Sequence, residues 1–200
     1  MPCQPDHQDQ GDCGSCWAFS TIETLESHFA IALNTSAPML SAQQVTGCTP
    51  NPKECGGTGG CNGNIQSQAF NYSAEVGVTG ESNYPYQASS TCNTGKIKPC
   101  VQNEGYVRVL SNDYNSHMDA LVNKGPLSIS LAASTMQYYG GGIINKCDCD
   151  QDHAVQLVGY GSERGKDYWL VRNSWGTIWY ALPAAKHWLT TIPLSVCPLH

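Results

Sequence analysis

Charge is scarce in this chain. Only 13% of its 200 residues are charged, and lysine and arginine number 10 against 16 aspartates and glutamates. The basic residues are scattered and the formal net charge is -6. Neutralising phosphate takes a basic patch, so a nucleic-acid surface is excluded. No apolar run is long enough to span a bilayer as a helix, so no membrane anchor of that kind is expected. Repeats and low-complexity stretches are missing as well. The opening residues Met1-Pro2-Cys3-Gln4-Pro5 carry neither the basic start nor the apolar stretch of a secretory leader. On that ground the sequence is expected to be a mature part or a fragment.

Cysteine, in contrast, is plentiful. Eleven in this length point to an oxidising compartment and a disulfide framework, or else to metal sites. The count is odd, so at least one thiol has no intramolecular partner. Asn34-Thr35-Ser36 and Asn71-Tyr72-Ser73 fit the glycosylation pattern and agree with secretion. Low charge density with 20 glycines and 10 tyrosines suits a secreted or lysosomal protein. A mass of 21.6 kDa with 40% hydrophobic residues allows one large domain or two small lobes sharing an interface.

The stretch Gln10-Gly11-Asp12-Cys13-Gly14-Ser15-Cys16-Trp17 stands out in composition. After it, Trp17, Ile22, Leu25, Phe29 and Leu33 recur at a spacing that predicts one buried helical stripe, ending near Asn34. Ser41-Ala42-Gln43-Gln44 fits a capping box at the start of a short helix. A Gly-, Pro- and Cys-rich loop runs from 48 to 64. A third helix is expected over 65–76, with Ile65, Ala69, Tyr72 and Val76 on one side and Gly77 as its C-cap. Residues 81–99 read as loop. Beyond them the pattern changes to strands over 105–110, 127–131, 153–159 and 168–172, with a turn over 161–165 and a helix over 118–124. Helices first and strands later suggest an α+β chain in two lobes, divided near residue 103.

Cys16 falls in the first turn of the predicted helix, where unpaired N–H groups and the positive dipole end favour a thiolate. That suits a nucleophile, and it also suits a structural cysteine in a disulfide. A nucleophile needs a base, and the base needs an orienting group. His153 opens an apolar strand of the second lobe, so its ring either faces the lobe interface or is a satisfied core histidine. Asn173 closes the next strand, where its amide oxygen either holds that ring or serves a turn. A hairpin between the two strands makes His153 and Asn173 neighbours, and Trp175 is near enough to shield their bond from water.

The stretch Gln10 to Trp17 resembles the papain-like cysteine peptidases, the cathepsin L group above all. The resemblance continues in order through Leu40-Ser41-Ala42-Gln43-Gln44, Gly60-Cys61-Asn62-Gly63, Tyr84-Pro85-Tyr86, Gly125-Pro126-Leu127-Ser128, Tyr139-Gly140-Gly141-Gly142-Ile143, Asp152-His153-Ala154-Val155 and Asn173-Ser174-Trp175-Gly176. It implies a papain-like α+β fold, a helical lobe over residues 1–103 and an antiparallel β-barrel-like lobe over 104–177, with the cleft between them. It implies that Cys16 is the nucleophile of a cysteine-type endopeptidase working through a thioester, and His153 its base and acid. Asn173 would orient His153 under the cover of Trp175, and Gln10 would donate to the oxyanion beside the Cys16 N–H. The resting state it implies is a thiolate–imidazolium pair. Bridges Cys13 to Cys61 and Cys48 to Cys92 follow from the same likeness, which leaves Cys55 and Cys100 for an extra bridge and Cys147 or Cys149 for a C-terminal cysteine. The aligned pocket positions are Ile65, Gln66, Ser130 and Ala154, whose small mixed walls suit a medium apolar side chain two residues before the scissile bond; Gly63 would keep the family's close backbone approach to substrate, and Trp175 is a further substrate-side residue. Asn64 stands where the family has glycine, with crowding or an unfavourable backbone angle as the expected result.

Both ends depart from the family pattern. Only Met1 to Asp9 precede the Gln-Gly motif, and residues 178–200 form a tail that the pattern does not assign. Without the family's closing strands, the second lobe is expected to be incomplete and the activity weak or lost. Two other readings therefore stand beside the enzyme: a catalytically dead papain-like binding protein, and a metal site drawn from Cys147-Asp148-Cys149-Asp150-Gln151-Asp152-His153. The resemblance itself implies no cofactor and no metal. It implies a monomer whose partners are peptide or protein substrates and prosegment or cystatin-type inhibitors, in a lysosome or vacuole or outside the cell.

Overall fold

The computed structural model describes residues 8–144 and 150–176, together with the backbone of residues 189–193. Cys3, Cys147, Cys149 and Cys197 lie outside the described residues, as do the bridge expected at Cys147 or Cys149 and the first three residues of the metal-site run, Cys147 to Cys149. In chain order the elements are helices α1 (Cys16–Leu33), α2 (Ala42–Cys48) and α3 (Gln66–Val76), strands β1 (Val78–Thr79) and β2 (Pro99–Val101), helix α4 (Tyr114–Lys124), and strands β3 (Leu127–Leu131), β4 (His153–Glu163), β5 (Lys166–Arg172) and β6 (Leu189–Pro193).

The helices gather around the first half of α1. Trp17, Ala18, Phe19, Ile22 and Leu25 pack with Leu40, Ala42, Val45, Ala69 and Val78. Helix α1 is buried on every side from Trp17 to Glu26, then runs out into solvent, so Leu33 at the end of the apolar stripe is 60% exposed. Asn34 ends it in a left-handed conformation at φ 49°, returning its N–H to the Ala30 and Ile31 carbonyls. Ser41 caps α2 by accepting the Gln44 N–H at 3.0 Å. Only half of the expected capping box forms, because the Gln44 side chain is used elsewhere. Its Nε2 donates to Gly77 O and its Oε1 accepts from Thr79 N, both at 2.8 Å, which ties α2 to β1. Gly77 follows α3 at φ 77°.

The second half forms an antiparallel sheet in the order β3-β4-β5-β6. Side chains alternate across it. Ile129, Leu131, Val155, Leu157, Trp169 and Val171 face one way and make their own core with Leu121 of α4 and Met136. Ser128, Ser130, Ala154 and Gln156 fall on the other face, and that face meets α1 rather than water. Ser20 Oγ lies 2.6 Å from Ser128 Oγ and donates to Val155 O at 2.7 Å, while Gln156 Nε2 donates to Glu23 O and to Ser27 Oγ. Arg172 Nε lies 3.5 Å from Glu23 Oε1. That oxygen makes no aligned hydrogen bond, so the contact is a coulombic one. The two cores thus meet along a polar seam.

Three expectations are corrected. The strand over 105–110 is absent: residues 102–110 pair with no strand, and Val107 is 92% exposed. Gly105, at φ 129°, interrupts the extended run, and a strand without a neighbour gains nothing from its alternation. Cys55 and Cys100 are free thiols rather than a bridge, and Cys100 Sγ is turned to the Val78 carbonyl at 3.5 Å. Finally, the sheet does not end at β5. Tail residues Leu189–Pro193 pair with Arg172–Tyr168 over five registered positions and protect that edge.

Candidate active site

Cys16 is the first residue of α1. Its position is fixed from both sides. Cys13 is bonded to Cys61, and Gly14 N–H donates to Cys61 O at 2.9 Å. A Cβ on Gly14 would lie 2.6 Å from that same oxygen, so only glycine allows the approach. On the other side Trp17 Nε1 donates to Gly60 O at 3.2 Å. The N-cap Ser15 makes no capping bond and instead pairs with the Tyr86 hydroxyl at 2.6 Å. The N–H groups at the helix start therefore remain available to a nearby anion.

The sheet brings the other residues to this helix end. His153 opens β4 and pairs in register with Leu131. Its Nε2 lies 2.7 Å from Asn173 Oδ1, which also accepts Ser174 N–H at 2.9 Å. Accepting a backbone donor identifies that atom as the amide oxygen. Nε2 therefore carries the proton, and Nδ1 is left as the basic nitrogen. The Trp175 ring lies over the imidazole, with centroids 4.8 Å apart and planes 30° apart. Ala154, next to His153, directs its backbone N–H at the Cys16 sulfur.

Burial pushes the Cys16 thiol up, against the pull of the Ala154, Trp17 and Cys16 N–H groups. It pushes the His153 imidazole down, against the Asn173 bond and the Asp152 charge. Desolvation thus favours the neutral form of each group taken singly. An ion pair of the kind the sequence implies forms only if both groups ionise together, each repaying the other's desolvation.

Gln10 is bridged to the strand end, its N–H donating to Ser174 O at 2.9 Å. Its side-chain Oε1 accepts from Ser174 Oγ at 2.9 Å and its Nε2 donates to Cys13 O at 3.0 Å. The amide orientation is thereby set, and the second Nε2 proton is left over. Tyr86 Oη donates to Gln10 O at 3.0 Å. Ser174 and Tyr86 lie inside the quoted motifs, yet sequence reasoning misses their part in holding Gln10, because it depends on contacts between the lobes.

The substrate-side residues form a band beside this site. Gly63, at φ 89°, packs against Gly56 O, so its lack of a side chain serves the neighbouring loop. Asn64 is buried without a left-handed backbone, and its Oδ1 accepts Ile65 N–H at 2.8 Å. The unfavourable angle is therefore not found. Ile65 is the N-cap of α3, and Gln66 reaches Ser130 of β3 at 2.9 Å. Among the described residues no three His, Cys, Asp or Glu side chains gather as a metal site.

Set against known proteins, residues 4–182 match the papain family cysteine protease family. The chain is 40% identical to vignain of Vigna mungo over 181 residues, covering 87% of this chain and 48% of that protein. It is 39% identical to cathepsin L of Sarcophaga peregrina over 181 residues, covering 86% and 52%. It thus spans about half the length of these relatives. Among solved structures, digestive procathepsin L 3 of Tenebrio molitor superposes with a TM-score of 0.83 at 30% identity, over 98% of this chain and 66% of that one. Bromelain from Ananas comosus, in complex with the E64 inhibitor, superposes with a TM-score of 0.81 at 31% identity, over 98% and 93%.

Proposed function

The chain belongs to the papain family of cysteine proteases, and from that premise we propose that it is a cysteine-type endopeptidase using Cys16, His153, Asn173 and Gln10. The observation that carries this reading is the convergence at the α1 N-terminus: the Cys16 sulfur lies under the N–H of Ala154, the residue that follows His153, and Asn173 fixes the tautomer of that histidine.

The residues then act as follows. His153 Nδ1 takes the Cys16 proton as the sulfur adds to the scissile carbonyl carbon. The developing oxyanion meets the spare Nε2 proton of Gln10 and the Cys16 N–H; one such donor is worth about 2.7–4 kcal/mol in another enzyme class. The imidazolium returns its proton to the leaving amine, and the C–N bond breaks to leave a thioester. Water, deprotonated by His153, attacks that carbonyl and releases the acid and the thiol. Asn173 stabilises the imidazolium of both steps and Trp175 keeps water from the bond between them.

The lobes divide in the irregular stretch near residue 103. The partners are peptide or protein substrates and inhibitors of the prosegment or cystatin kind, acting on a monomer. The Cys13–Cys61 and Cys48–Cys92 bridges fit a secretory route, leading to a lysosome, a vacuole or the cell exterior.

Iodoacetamide provides the test, with Cys55 and Cys100 as free thiols in the same chain. At pH 5.5 Cys16 is expected to alkylate at least about 100-fold faster than either, losing that advantage in His153→Ala. Cleavage of a fluorogenic peptide should stop in Cys16→Ala. Equal alkylation of the three thiols would refute the assignment.

A further inference from the structure

The fold treats its two Asn-X-Ser triplets in opposite ways. Asn34, Thr35 and Ser36 form the turn that leaves α1, and all three are exposed. None of their side chains makes a hydrogen bond among the described residues. Asn71, Tyr72 and Ser73 lie inside α3, with Tyr72 and Ser73 buried. Ser73 Oγ donates to the Ala69 and Phe70 carbonyls at 2.9 and 3.1 Å, and the Tyr72 hydroxyl accepts from Gln44 Nε2 at 3.1 Å. We propose that Asn34 is an N-glycosylation site, that Asn71 is passed over, and that the glycan covers the apolar end of α1. This rests on the secretory route above and not on the catalytic assignment.

The transfer needs an asparagine amide with a hydroxyl two residues on, both within reach of an enzyme. Its co-reactant is an oligosaccharide carried on a lipid pyrophosphate. Asn34 Nδ2 bonds to the first sugar carbon while the bond from that carbon to the phosphate oxygen breaks. The lipid pyrophosphate leaves, and the amide gives up one proton to the medium. At Asn34 the folded chain already offers both groups to solvent, in a turn that begins at φ 49°. At Asn71 the Ser73 hydroxyl is reached only by unwinding α3, because Ser73 is fully buried and spends its proton on the helix.

The surroundings of Asn34 give the sugar something to do. Ile31 and Leu33, 59% and 60% exposed, precede it, and Met39, 42% exposed, follows the turn. Apolar side chains gathered on a surface favour association, and a bulky, solubilising glycan among them opposes it. Catalysis has room for the modification. Cys16 opens α1 and Asn34 closes it, so about 27 Å of helix separates the sugar from the nucleophile.

The experiment passes the full chain, behind a cleavable secretory leader, through insect cells. Peptide N-glycosidase in heavy-oxygen water then turns each glycosylated asparagine into a labelled aspartate, which peptide mass mapping locates. Asn34 should be labelled in most copies and Asn71 in few. Ser36→Ala removes the hydroxyl and keeps Asn34 as the helix cap. It should abolish the Asn34 label and raise the aggregated fraction, while an unchanged iodoacetamide rate at Cys16 shows that the variant is folded. Asn34→Gln should lose the label in the same way. Chains that carry both the Cys13–Cys61 and Cys48–Cys92 bridges but no sugar at Asn34 overturn the proposal. Asn71 labelled as fully as Asn34 overturns the choice between them, and an unchanged aggregated fraction in Ser36→Ala overturns the covering role. Chains that reach the lumen with those four cysteines reduced remove the secretory route itself, and this inference with it.

Discussion

The two lobes are closed in different ways. The helical lobe has a compact apolar core and two disulfides, whose partners are separated by 48 and 44 positions in sequence. Its buried glutamines, Gln43 and Gln44, are bonded at both ends of their amides. The sheet lobe has an apolar core of similar size but no disulfide among the described residues. Its leading segment, with Val107 and Leu110 turned to solvent, pairs with no strand. The nucleophile therefore stands on the stapled lobe and the base on a lobe with no disulfide among its described residues. What positions His153 against Cys16 is the polar seam of Ser20, Glu23 and Ser27 with Ser128, Gln156 and Arg172.

Truncating the packed lobe should have the largest effect. Leu131 is fully buried in β3 and is the register partner of His153. Leu131→Ala should cost about 3–5 kcal/mol in urea unfolding, as other buried Leu→Ala changes do. It should also slow Cys16 alkylation, because the strand that seats His153 loosens. Removing the Cys48–Cys92 bridge with a paired Cys48→Ala, Cys92→Ala change comes next, at about 2–4 kcal/mol. That variant should keep the wild-type alkylation rate wherever it remains folded. A bridge loss that costs more than Leu131→Ala, or that slows Cys16 equally, would break the contrast between the lobes.

What is legible in the sequence follows the range of each signal. Helix α1 shows itself through local spacing, and α3 through Gly77 at its end. The β4–β5 hairpin is readable from its turn, which is why the sequence alone suffices to make His153 and Asn173 neighbours. The alternation of Leu127 to Leu131 is readable as well, but not its destination, because polar residues facing α1 look the same in sequence as polar residues facing water. Residues 105–110 mislead for a related reason: a strand exists only with a partner, and no local feature supplies one. Cys55 and Cys100 show the limit for thiols, since being left over together does not bring two sulfurs together. Family likeness points to the reactive residues, while Ser174, Tyr86 and the Glu23–Arg172 contact arise only from how the lobes meet.

The seam itself gives the smallest of the expected effects and the sharpest test of the comparison. Burial pushes the Glu23 carboxyl up to about 7 and Glu26 up to about 8, although Arg172 draws both down; Glu81 adds to the rise at Glu26. The unfolded chain releases those protons near 4.5. Between pH 4.5 and 8 the folded chain therefore holds more protons, and these two groups contribute stability that is present below pH 4.5 and lost as pH rises through 7 and 8. His153 acts in the opposite sense, since its lowered value withdraws stability as pH falls below 6.5. Comparing wild type with Glu23→Gln cancels the histidine and isolates the seam. The glutamine keeps the volume but cannot ionise, so the variant should gain on wild type by about 2 kcal/mol between pH 5 and pH 8 in urea unfolding. At pH 8 the wild-type lobes, joined by a seam in which the buried Glu23 has become a carboxylate beside the Arg172 guanidinium, should unfold less cooperatively than at pH 5. A constant difference between the two proteins across that range would mean that Glu23 is not ionising at the seam, and that packing alone holds His153 opposite Cys16.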